Sequence, residues 1–156
     1  ANDWQLVVNV LNHAADVCAR EGIVLGYHNH DQEFRVRLDG TPALDWLYAR
    51  LDARVMQEFD PGWCVLAGGD PLAWLAAHPG RNPTLHAMPA IADSAGLKPG
   101  EAGVGSARDR AYWHRILPEA ARDGTAWFVV KPTAFPDSSA DLYASRVYLE
   151  REGWKA

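Results

Sequence analysis

A small set of side chains able to carry chemistry sits at comparable places along this chain. His28, Asn29 and His30 close one short apolar run, Asp60 closes a second, His86 a third and Lys131 a fourth. Side chains two apart on a strand point to the same face, so His28 and His30 are expected to face together. If Asp60 and His86 meet them there, the imidazole and carboxylate donors suit a divalent metal such as Zn or Mn. Each residue also has an ordinary reading. Asp60-Pro61-Gly62 is a turn sequence, and a lone histidine on a strand is commonly a hydrogen-bonded core residue. Their shared position at successive run ends is what sets them apart. His13, His78 and His114 fall on expected helices and are read as surface residues.

The elements that must position these residues alternate along the chain. Val7, Val10, Leu11, Ala14, Val17 and Cys18 recur at helical spacing, with Asp3 as the expected cap and Gly22 as the left-handed stop. Residues 23–27 form a β-rich run that leads into His28. After the turn at Asp39-Gly40-Thr41-Pro42, Leu44, Leu47 and Leu51 give a second helical stripe. Residues 54–59 read as a strand that stops at Asp60-Pro61-Gly62. Asp70-Pro71 is a helix start, a cap followed by proline at the first helical position.

Residues 83–86 read as a third strand, 93–105 as a long loop and 108–123 as a helix with Tyr112, Ile116 and Leu117 on one side. Residues 126–130 read as the fourth strand, ending at Lys131. Ser138 or Ser139 opens a last helix through Leu142, Val147 and Leu149. A helix followed by four strand–helix units predicts a parallel sheet with helices outside it. A (β/α)8 barrel needs eight such units over about 250 residues. The fold class expected is therefore α/β, half of a TIM barrel, in a single domain over residues 1–156. A half barrel leaves open sheet edges that invite pairing. The chain is read either as a fragment completed by a missing half or as a piece completed by a second copy. Its start in mid-helix favours the fragment.

Composition removes several alternatives. At 156 residues and 48% hydrophobic content, one sizeable core is expected. The net charge of −5 and the absence of any Lys/Arg run argue against nucleic-acid binding. No Gly-x-Gly-x-x-Gly follows a strand and no Walker loop is present, so nucleotide folds lose their main support. Cys18 and Cys64 are expected as buried free thiols. No apolar run approaches the roughly 20 residues that span a bilayer, and a cytoplasmic protein is the expectation by elimination.

The stretch Leu25-Gly26-Tyr27-His28-Asn29-His30-Asp31-Gln32-Glu33-Phe34 resembles a signature of xylose isomerase-like TIM barrel proteins, the sugar phosphate isomerase/epimerase family. Phe59-Asp60-Pro61-Gly62-Trp63 and then Gly68-Gly69-Asp70-Pro71 are similar to the family's next strand and helix. Arg81-Asn82-Pro83-Thr84-Leu85-His86 is similar to the strand after that. The resemblance runs in order over nearly the whole chain and implies strands five to eight, the C-terminal half of the barrel.

It also implies one divalent metal (Mn, Zn or Co) held from successive strands, with His28, Asp60 and His86 at three of the ligand positions. Lys131 stands where the family has a glutamate, and Ala87-Met88-Pro89 replaces Leu-Lys-Asp. A protonated lysine beside a dication is unfavourable. Lys131 must point away, become neutral or replace the metal. His30 and Lys131 are the candidate catalytic residues. Trp63 and Tyr27 are candidates for stacking on a sugar, although core packing suits Tyr27 better. Glu33 either orients His30 or is a solvated loop acid.

The activity implied is isomerisation or epimerisation of a sugar or sugar phosphate by proton transfer through an enediolate. The alternative is a non-catalytic sugar-binding or structural relative without the metal, for which Lys131 speaks. Endonuclease activity, which would want more histidines and a basic groove, ranks third.

Overall fold

The computed structural model describes residues 2–91, 97–98, 100–131 and 139–154. Residues 93–96 and 99 of the loop expected over 93–105 lie outside them, as does Ser138. The chain opens with helix α1 (Asn2–Arg20), and Gly22 at φ +67° ends it as expected. Asp3 lies inside its first turn, so it complements the helix dipole rather than capping the helix. Strand β1 (Leu25–His28) follows, then a one-turn helix α2 (Gln32–Arg35) and a two-residue hairpin, β2 (Arg37–Leu38) and β3 (Thr41–Pro42). Helix α3 (Ala43–Tyr48) leads to strand β4 (Val55–Phe59).

Two aspartates then start helices in the same way. Asp60 caps α4 (Pro61–Leu66) and Asp70 caps α5 (Pro71–Ala77), each with proline in the first turn. Strand β5 (Thr84–Ala87), helix α6 (Arg110–Asp123), strand β6 (Trp127–Val130) and helix α7 (Ser139–Arg151) complete the order. The four longer strands form one parallel sheet in the order β1-β4-β5-β6. Chain order equals spatial order, as in an arc of a β/α barrel. Among the described residues no helix is long and apolar enough to cross a membrane.

The strand period of two gives the sheet two different faces. Val55, Gln57, Phe59, Leu85 and Ala87 are buried on the face covered by helices. There Phe59 stacks on Trp74, and Leu44, Leu47, Leu75, Trp113 and Ile116 fill the same core. The opposite face carries His28, Glu58, His86 and Val129, which alternate with the buried set in the strand register. No helix of the described chain covers this face, and Trp127 keeps 71% of its surface exposed there. The polar strand-end residues thus stand on the open side of a sheet whose other side is a packed core.

Candidate metal and substrate site at the strand ends

Asp60 is the most constrained residue of the site. It follows β4 and is fully buried. Its Oδ1 accepts a hydrogen bond from the Trp63 backbone N–H at 2.9 Å, the capping bond of α4. Asn29, equally buried, clamps the Asp60 backbone from the end of β1. Its Oδ1 accepts from the Asp60 N–H at 2.9 Å and from the Gln57 amide at 2.8 Å. Its Nδ2 donates to the Asp60 carbonyl at 3.1 Å. The remaining carboxylate oxygen, Oδ2, lies 2.8 Å from His86 Nδ1.

The histidines close around that oxygen. The His28 and His86 rings meet edge to face at 4.4 Å, and His30 meets His28 at 4.8 Å. His28 Nδ1 is 3.2 Å from the Glu58 carbonyl and 3.6 Å from its carboxylate. One ligand atom from each of His28, Asp60 and His86 falls within 4.8 Å of the other two. Burial is the main cause that holds the His28 pKa below its ordinary value, and the field of His86 adds to it. Asp60 and Glu58 oppose the shift. A neutral imidazole keeps a lone pair available, as metal ligation requires. Two nitrogens and one carboxylate oxygen in this space fit Zn, a borderline dication, and the carboxylate also suits the harder Mn.

The other expected site residues divide into two groups. His30 is exposed, and its ring lies 5.8 Å from that of Trp63. Lys131 Nζ lies 5.8 Å from the Trp63 ring centroid, within cation–π range. The Trp63 indole N–H is buried and has no acceptor among the described residues. His30, Trp63 and Lys131 therefore line one side of the trio. Lys131 is outside the ligand set and rests against the indole.

Tyr27 and Glu33 stand elsewhere. Tyr27 pairs in register with buried Gln57, which puts it on the helix-covered face, away from His28. Its hydroxyl donates to Glu33 Oε1 at 2.7 Å. Glu33 is 2% exposed, so it is not a solvated loop acid. Its Oε2 accepts from the His30 backbone N–H at 2.8 Å and does not touch the imidazole. Both residues fix the path of the chain through His28-Asn29-His30 and leave no free polar group for a sugar.

Among the other histidines, His13 and His114 are exposed as expected. His78 is not a plain surface residue: it is half-buried and stacked on Trp74 at 3.7 Å. Cys64 is buried, its thiol pushed up to about 12 by burial, whereas Cys18 is only partly covered. Sequence reasoning missed the roles of Asn29 and Glu58. A signal existed for Glu58, an acid inside an otherwise β-forming run that ends in Phe59.

No family model matches the chain, and no curated protein matches its sequence. Two solved structures share its fold, each a sugar phosphate isomerase/epimerase from Parabacteroides distasonis ATCC 8503. The first superposes with a TM-score of 0.75 at 23% identity, covering 98% of this chain and 54% of that one. The second gives 0.72 at 23% identity, covering 98% and 55%. The chain thus spans about half the length of the structures it matches. The arc of four strand–helix units expected from sequence is present and is part of the same barrel fold.

Proposed function

We propose that the strand-end site binds a sugar or sugar phosphate and moves a proton between adjacent carbons, as an isomerase or epimerase does. The observation that carries the reading is the convergence of His28, Asp60 and His86 within 4.8 Å at the C-terminal ends of three successive strands. Catalytic side chains gather at those ends in β/α barrels. The two structural neighbours, both sugar phosphate isomerase/epimerases, support it.

In this reading His28, Asp60 and His86 hold one divalent metal. A bound dication would supply Lewis acidity toward a carbonyl oxygen and its neighbouring hydroxyl. The chain's own residues do the rest. Asn29 holds the Asp60 backbone so that its carboxylate stays aimed at His86. Trp63 offers an apolar plane for a sugar face. His30, exposed beside that plane, is the group placed to take a proton from a bound sugar and return it. The open sheet edges are closed by the other half of a barrel or by a second copy, which also covers the substrate.

A second reading has its own support. Asp60 and His86 already satisfy one another at 2.8 Å, and no carboxylate stands at the Lys131 position. That arrangement suits a metal-free sugar-binding relative. Proton exchange separates the two. NMR of aldose, ketose and their phosphates in D2O with the full chain should show deuterium entering next to the carbonyl, and His30→Ala should slow it at least tenfold. Sugar binding with no exchange for any of them would favour the binding relative.

A further inference from the structure

Lys131 is the one strand-end residue that the proton-transfer reading leaves without a task. Its main-chain N–H donates to the Ala87 carbonyl at 3.1 Å, which fixes it at the end of β6 beside His86's strand. Its side chain is half-buried against the Trp63 indole. Among the described residues no carboxylate lies within ion-pair distance of its ammonium, whereas Arg35, Arg54, Arg122 and Arg146 all have acidic partners. A cation that is partly desolvated and unpaired is unfavourable unless a ligand supplies the anion.

The charge balance of the site points the same way. Asp60 and Glu58 are the acids that face its histidines, at 2.8 Å from His86 and 3.6 Å from His28. A dication on the trio would balance the two acids, and Lys131 would leave one positive charge over. A glutamate at that position would instead supply negative charge to the site. Position, chemistry and charge therefore favour an anionic group on the ligand.

We propose that Lys131 is a specificity-determining residue that selects sugars bearing an anionic group, a carboxylate or a phosphate, and holds that group beside Trp63. The proposal rests on the sugar-site reading above and narrows its substrate class. The ammonium pairs with the anionic oxygens while the sugar ring lies over the indole, toward His30. A lysine meets either anion as a point charge, so the selection is by charge rather than by planar geometry.

Isothermal titration of the full chain with D-glucuronate, D-glucose 6-phosphate and D-glucose tests this, with metal present and after chelation. The expected result is at least tenfold tighter binding of one or both anionic sugars than of glucose. The carboxylate and phosphate arms tell which anion is preferred. Raising the salt from 50 to 500 mM should erode the preference. Lys131→Met and Lys131→Gln should each bring the ratio of affinities near one, and Lys131→Arg should keep most of it. A preference that survives in both neutral variants overturns the proposal. Wild-type protein that binds glucose as tightly as both anionic sugars also overturns it, and leaves the sugar-site reading standing. A chain that binds none of the three overturns both.

Discussion

Asn29 does more for the site than its position between two histidines reveals. Three hydrogen bonds tie it to Gln57 and to both backbone groups of Asp60, all in buried surroundings. Asn29→Ala would take the acceptor from the Asp60 N–H and from the Gln57 amide, and would leave the Asp60 C=O only its bond from the Cys64 N–H at 3.3 Å. Each unsatisfied buried group costs about 1–3 kcal/mol. Chemical denaturation should show a loss of about 2–4 kcal/mol, and metal titration should show weaker binding as Asp60 loses its anchor. The sequence displayed His28, Asp60 and His86 because each closes a strand run. It did not display the function of Asn29, whose partner lies 31 residues on and is backbone rather than side chain. The same limit applies to Tyr27 and Glu33. Their types suit a sugar site, but the register of β1 and a buried hydrogen bond assign them to the scaffold.

At the scale of elements, two Asp-Pro pairs with equal local chemistry were read differently. Asp70-Pro71 is legible as a helix start, whereas Asp60-Pro61 is followed by Gly62 and looks like a turn in sequence, although it opens a helix of 6 residues. That helix passes so close to the end of β5 that a Cβ on Gly62 would sit 2.5 Å from the Met88 carbonyl oxygen and 3.1 Å from Asp60 Oδ1. Gly62→Ala must push α4 away from the site. A loss of about 1–3 kcal/mol is expected from overpacking. Thermal melts would read it, and so would a fall in metal affinity.

Helix α6 carries a pH dependence at its start. Burial raises the Asp109 carboxyl from 3.8 to about 6, although the Trp113 indole, Ser106 and nearby backbone donate to it. The native state therefore holds this proton more tightly than the unfolded chain. Its contribution to stability is complete below 3.8 and is lost as pH rises through about 6. Relative to Asp109→Asn, the wild-type chain should gain on the order of 2 kcal/mol between pH 7 and pH 4. Paired melts at the two pH values isolate this group from the other acids.

For the molecule as a whole, element count and order were enough to read an arc of a β/α barrel from sequence, because strand–helix alternation is a property of the pattern alone. What the pattern could not display is which sheet face stays uncovered. Trp127 and Val129 are exposed on the site face, at 71% and 45%, and α1 exposes Leu6 and Val10. Open edges and exposed apolar strands drive association. Residues 1–156 prepared alone should self-associate in light scattering, and Trp127→Lys with Val129→Lys should shift them toward monomer. A strictly monomeric wild-type preparation at high concentration would argue that the face needs no cover.

In the proposed site His28, Asp60 and His86 hold a metal despite the lysine at the fourth position. Isothermal titration of chelator-treated full chain with Mn, Co and Zn, checked by elemental analysis, tests it most directly. About one ion per chain is expected for at least one of these metals, lost in Asp60→Asn and in His86→Ala while the fold is retained. Folded wild-type protein that takes up no stoichiometric metal, or that binds it equally well without Asp60, would rule this metal site out.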